Sequence, residues 1–145
     1  MSISVKCQYG LRALLELAKR KDQGLVRLHD VARAQAIPRR FLENILNQLR
    51  LGGFVESRRG KDGGFMLLKP PARISVHDVI TFIDGPIYPI ECAGVTPLKK
   101  CSFYGNCVFS SLWDEARQAL ETVYRQKTLQ DLLDDAENHV FDYVI

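Results

Sequence analysis

The apolar positions change their period several times along the chain. Val5, Tyr9, Ala13, Leu14, Leu17 and Ala18 recur at three- and four-residue intervals, so the spacing predicts a helix over 3–20. The stretch KRKDQG ends it, with Gly24 as the stop. Two shorter helical patterns follow. In LHDVARAQ (28–35), Leu28, Val31 and Ala32 share an apolar side. Ala36-Ile37-Pro38 is the break, and Pro38 suits the first position of the next helix, where its missing N–H costs no bond. That helix runs to about Leu51 and stops at Gly52-Gly53. Its apolar stripe is expected to be Phe41, Leu42, Ile45, Leu46 and Leu49.

Beyond the double glycine the period shortens. FVESRR and FMLLK flank GKDGG, which predicts a β-hairpin whose turn draws positive φ angles from Gly60, Gly63 and Gly64. Pro70-Pro71 closes this module. Ser75 with Asp78 three residues later reads as a helix cap, with Val76, Val79, Ile80 and Ile83 facing inward and Gly85-Pro86 as the end. Residues 85–108 read as irregular. From about Ser110 a longer helix carries Leu112, Ala116, Ala119 and Val123 on one seam, with Leu120 beside them. That seam suits either the body of the protein or a second copy. Thr128 and Asp131 form another capping pair ahead of a short helix, LQDLLDDA, and the apolar tail HVFDYVI is expected to dock. The fold class expected is mainly α with a small β-hairpin wing. Helix, tight turn, helix and hairpin within 28–69 make a winged helix-turn-helix, followed by a long helix.

Charge adds a function to this plan. The net charge of +3 hides a gradient: residues 1–70 carry 14 Lys and Arg against 6 Asp and Glu, whereas 71–145 carry 6 against 11. A basic half joined to an acidic half points to a lobe that binds a polyanion. In the 38–51 helix Arg39, Glu43 and Asn47 lie four apart on one line and Arg40, Asn44 and Gln48 on the next. These side chains hydrogen-bond base edges and phosphates. Arg58, Arg59 and Lys61 cluster at the hairpin tip, where cations suit the minor groove. No phosphate-binding glycine loop, serine elbow or zinc-protease pair occurs, so the sequence does not read as an enzyme. The start MSISVKCQYG lacks the apolar block of a signal peptide, and a cytoplasmic, membrane-free protein is expected.

Four cysteines are too few for a disulfide scaffold in a chain of 145 residues. Cys92, Cys101 and Cys107 follow C-x8-C-x5-C in a Gly- and Pro-rich stretch. Thiolates in such a loop bind soft metals or iron–sulfur clusters or act as a redox switch, and the remaining reading is that their grouping is incidental. The lack of a C-x2-C pair disfavours a ribbon or finger type of zinc site. Cys7 stands alone on an amphipathic helix, where a small buried apolar residue is the ordinary reading and metal ligation the other.

Four stretches carry a resemblance that spans essentially the whole chain: YGLRALLELA; IPRRFLENILNQLRLGGFVESRRGKDGGF with its RG-x-x-GG-F wing; the three-cysteine loop; and LWDEARQALETV followed by TLQDLL. The chain resembles the family of dimeric winged-helix regulators that includes IscR and NsrR. The resemblance implies a homodimer on a palindromic DNA operator, with the helix from Ser110 at its interface. It implies an iron–sulfur cluster, [2Fe-2S] or [4Fe-4S], on Cys92, Cys101 and Cys107. It places Arg39, Arg40, Glu43 and Asn44 at the major groove, and Arg59, helped by Arg58 and Lys61, at the minor groove. Three positions depart from the family pattern. The first cysteine gap is eight rather than five, Ser110 stands where IscR-like members have a histidine, and Gln8 stands where NsrR-like members have a carboxylate. The fourth ligand stays open, with Cys7 as one candidate. The expected division is 1–84 for DNA binding, 85–109 for the cluster loop and 110–145 for dimerisation and the C-terminal segment. The alternative is a winged-helix repressor that uses a thiol switch or zinc without an iron–sulfur cluster.

Overall fold

The computed structural model describes residues 2–93 and 101–142, with side chains as far as His139. Helix α1 (Val5–Lys19) opens at Ser4, whose hydroxyl accepts the Cys7 N–H at 3.0 Å. Its inner face buries Cys7, Ala13, Leu14, Leu17 and Ala18. Val5, expected on that face, is 61% exposed, while Cys7 in the same turn is fully buried. Helix α2 (Leu28–Gln35) has the predicted span, and Ala36 ends it in the left-handed region at φ 51°. Helix α3 (Arg39–Leu51) follows at once; Pro38 is its N-cap rather than its first residue.

Leu42, Ile45, Leu46 and Leu49 of α3 pack against α1 and α2 in one cluster with Leu14, Leu17 and Val31. Fully burying each such side chain is worth about 1.5–3 kcal/mol. Phe41, the fifth member of the expected stripe, is outside it and 62% exposed. The four buried residues already fill the arc that faces the core, and position 41 falls at its edge.

Strands β1 (Val55–Arg58) and β2 (Gly64–Leu67) pair antiparallel, with Val55 opposite Leu67 and Arg58 opposite Gly64. Val26 adds a bridge on the other edge, exchanging two 2.8 Å bonds with Phe65. This close approach needs Gly64, where a Cβ would lie 2.5 Å from the Val26 carbonyl oxygen. Gly60 takes positive φ, as expected, but Gly63 does not; there a Cβ would run into the Arg58 carbonyl.

Helix α4 (Val76–Asp84) starts with the predicted reciprocal cap between Ser75 and Asp78 and buries Val79 and Ile80. Asp84 at its end accepts both the N–H and the hydroxyl of Ser4, tying α4 to the start of α1. Helix α5 (Ser110–Gln126) lays Leu120 and Tyr124 against a small cluster of Cys7, Ile80 and Ile87. Its expected seam is not docked on the body: Leu112 is 51% and Val123 57% exposed. Helix α6 (Leu129–Asp142) is longer than expected, since nothing after Ala136 stops it. Leu129 at its start is buried in the main core, and Thr128 and Asp131 cap it as predicted. The expected docking of the tail lies outside the described residues.

Candidate nucleic-acid interface and cysteine cavity

The outer face of α3 is built by default from what its inner face must bury. With Leu42, Ile45, Leu46 and Leu49 inside, Arg39, Arg40, Glu43, Asn44 and Asn47 are all exposed, and Gln48 is half-buried. The turn before α3 is anchored from behind. Buried Glu16 of α1 accepts bonds from Arg20 at 2.9 Å and from the Gln35 side chain at 2.8 Å, and the Arg12 guanidinium donates to the Gln35 carbonyl. A polar network this well satisfied fixes the angle at which α3 leaves the body.

The hairpin tip presents Arg58, Arg59 and Lys61, all exposed. Sequence reasoning missed a fourth cation beside them. Arg27, at the cap position of α2, donates from Nη2 to the Lys61 carbonyl at 3.2 Å. The local signal for it is an Arg where a helix start ordinarily carries Ser, Thr, Asp or Asn. Ion pairs among the described residues join Arg20 to Glu16, Arg117 to Asp114 and Glu121, Arg125 to Glu121, and Lys127 to Asp135. None involves Arg27, Arg39, Arg40, Arg58, Arg59 or Lys61. The cations of this face are therefore left for an external anion, while three of the four paired cations lie in α5 and at its end.

Apart from this face, the three clustered cysteines line one open cavity of about 370 Å³, together with Tyr104, Trp113 and Asp114. Cys92 lies in a single 3₁₀ turn (Glu91–Ala93). Cys101 opens a tight turn in which its carbonyl accepts the Tyr104 N–H at 3.0 Å. Cys107 stands just before α5, and its carbonyl accepts the Ser110 hydroxyl at 3.0 Å. Cys92 and Cys101 are exposed and Cys107 is half-buried. Trp113, which lines the cavity, stacks on Phe109 with centroids 5.9 Å apart.

The donor set fits a thiolate-bound soft metal centre in chemistry. The sulfurs line the wall without converging: among the described residues no three His, Cys, Asp or Glu side chains are gathered as ligands of one ion. Cys7 is not brought to this cavity. It is fully buried with Ile80 and Ile87. Burial, with the Asp84 carboxylate adding to it, pushes its thiol up to about 12. These surroundings match the small buried apolar residue of the ordinary reading. Ser110 and Asp114 line the cavity in its place.

Comparison with known proteins gives a consistent picture. The profile of the Rrf2 family, described as an iron-dependent transcriptional regulator, matches residues 3–135. The HTH-type transcriptional regulator CymR of Bacillus subtilis is 33% identical over 148 residues, covering all of both chains. Protein rrf2 of Nitratidesulfovibrio vulgaris is 31% identical over 136 residues, covering 94% of this chain and 89% of its own. Among solved structures, T. potens IscR superposes with a TM-score of 0.77 at 32% identity, covering 96% of this chain and 90% of its own. CymR, the global cysteine regulator of B. subtilis, gives 0.76 at 32% identity, covering 91% and 95%. No helix among the described residues is long and apolar enough to cross a membrane.

Proposed function

Because this chain belongs to the Rrf2 family of transcriptional regulators, we propose that it is a homodimeric, cytoplasmic DNA-binding regulator whose operator affinity is set by an iron–sulfur cluster on Cys92, Cys101 and Cys107. The observation that carries the reading is one body with two unlike faces. A set of cations without ion-pair partners among the described residues lies on α3 and the wing, and three thiols line a separate cavity. In this reading residues 1–84 bind DNA, 85–109 hold the cluster, and 110–145 supply the dimer helix and C-terminal segment. Arg39, Arg40, Glu43 and Asn44 read the major groove, while the wing, led by Arg59, reaches the minor groove. When bound, the cluster supplies an oxidation state and a lability to which the loop responds.

The route between the faces is short. The cysteine loop grows out of α4 through Ile87, which is buried with Ile80 and Cys7 against α1. The α1 helix in turn holds the α2–α3 turn through Glu16 and Arg12. A change in the loop therefore bears on the helix that carries the reading head, and ~1–3 kcal/mol of coupling is the ordinary scale.

A thiol switch without a cluster is the second reading. The lack of convergence among the three sulfurs favours it. Selection of duplexes from a randomised pool tests the DNA half for both readings, and an inverted repeat is the expected winner. On that duplex Arg59→Ala is expected to lose about 1–3 kcal/mol of binding, measured by fluorescence anisotropy at physiological salt. Unchanged affinity would remove the wing from the interface.

A further inference from the structure

Between the start of α2 and the wing lies a second cavity, of about 290 Å³, lined by Arg27, Arg58 and Lys61 with Gly60, Gly63, Gly64 and Phe65. Three cations converge on it, no carboxylate lines it, and none of the three has an ion-pair partner among the described residues. Its floor is glycine backbone, so an anion can approach closely where side chains would stand off. Arg27 reaches it from the helix-turn-helix and the other two from the hairpin, and the bond from Arg27 to the Lys61 carbonyl joins the two elements across it.

We propose that Arg27, Arg58 and Lys61 form a clamp for one backbone phosphodiester of duplex DNA. The proposal rests on the DNA-binding reading above. It gives Arg58 and Lys61 a different task from the minor-groove help expected of them and leaves Arg59 as the groove-reading residue of the wing. A phosphate held between α2 and the hairpin sets the register of both on the duplex and carries no sequence information of its own.

The test is the salt dependence of binding to a mixed-sequence duplex and to the selected duplex. Wild-type protein is compared with Arg27→Gln and Arg27→Lys. The Gln variant keeps a donor for the Lys61 carbonyl and removes the charge; the Lys variant keeps the charge. With Arg27→Gln, the slope of log affinity against log salt should fall by about one per protomer, with a similar loss of affinity on both duplexes. Arg27→Lys should restore the slope. An unchanged slope in Arg27→Gln, or a loss confined to the selected duplex, overturns the clamp. So does inorganic phosphate that binds wild type and not Arg27→Gln without, at constant ionic strength, weakening duplex binding, since the cavity is then a free-anion site apart from the DNA. If wild type itself binds neither duplex, the DNA-binding reading fails rather than the clamp alone.

Discussion

Cys101→Ala protein, purified and reconstituted without oxygen, is expected to be colourless and to retain almost none of the iron and sulfide of wild type. Cys101 is one of three thiols on the cavity wall, and losing it leaves two. Removing an outer-shell partner of a metal site already costs about 10–100-fold in affinity, so removing a ligand should cost more. The fold should be indifferent, because Cys101 is exposed and sits in a turn held by backbone bonds. Its urea midpoint should correspond to wild type within about 0.5 kcal/mol. Full iron and sulfide in the variant would show that the ligand set is wrong. Loss of stability along with colour would show that the side chain has a structural task.

The second large effect is expected at the far end of α5. Leu112, Ala119 and Val123 are exposed along one side of this helix, while Leu120 and Tyr124 on the other side pack on the body. In a two-fold dimer the same seam meets its own copy, so one substitution acts twice. Val123→Glu should therefore give monomers by sedimentation equilibrium at concentrations where wild type is dimeric. A monomer grips one half-site. Losing the linked second half-site should lower affinity for an inverted repeat by about 10²–10⁴-fold, with binding to an isolated half-site unchanged. A variant that stays dimeric would place the interface elsewhere.

How much of this was legible in the sequence differs from element to element. The α2 span, the Ser75 and Thr128 caps and the presence of the hairpin were readable because each is decided by residues within a few positions of one another. Phe41 and Val5 were misplaced for a common reason. Helical periodicity locates the middle of an apolar stripe, whereas its edges depend on how far neighbouring elements reach around the helix. The length of α6 was missed because no glycine or proline marks its end. At the site, the spacing of the three cysteines sufficed to group them. The burial of Cys7 depends on Ile80 and Ile87, more than seventy residues away in the chain, so its surroundings were not readable locally. Arg27 escaped for the same reason, as its partner is the carbonyl of Lys61. Local chemistry announced the elements and the thiols, and tertiary contacts decided which cations work together.

The central claim is that a thiol-held cluster sets the grip on DNA. Its most direct test is one anaerobic titration of the selected duplex with two preparations of the same protein, one reconstituted with iron and sulfide and one stripped by a chelator. Visible absorption with stoichiometric iron and sulfide is expected in the first, with affinities that differ by about 5–150-fold between the two. Reconstituted protein that stays colourless and iron-free, or two superimposable binding curves, would contradict it.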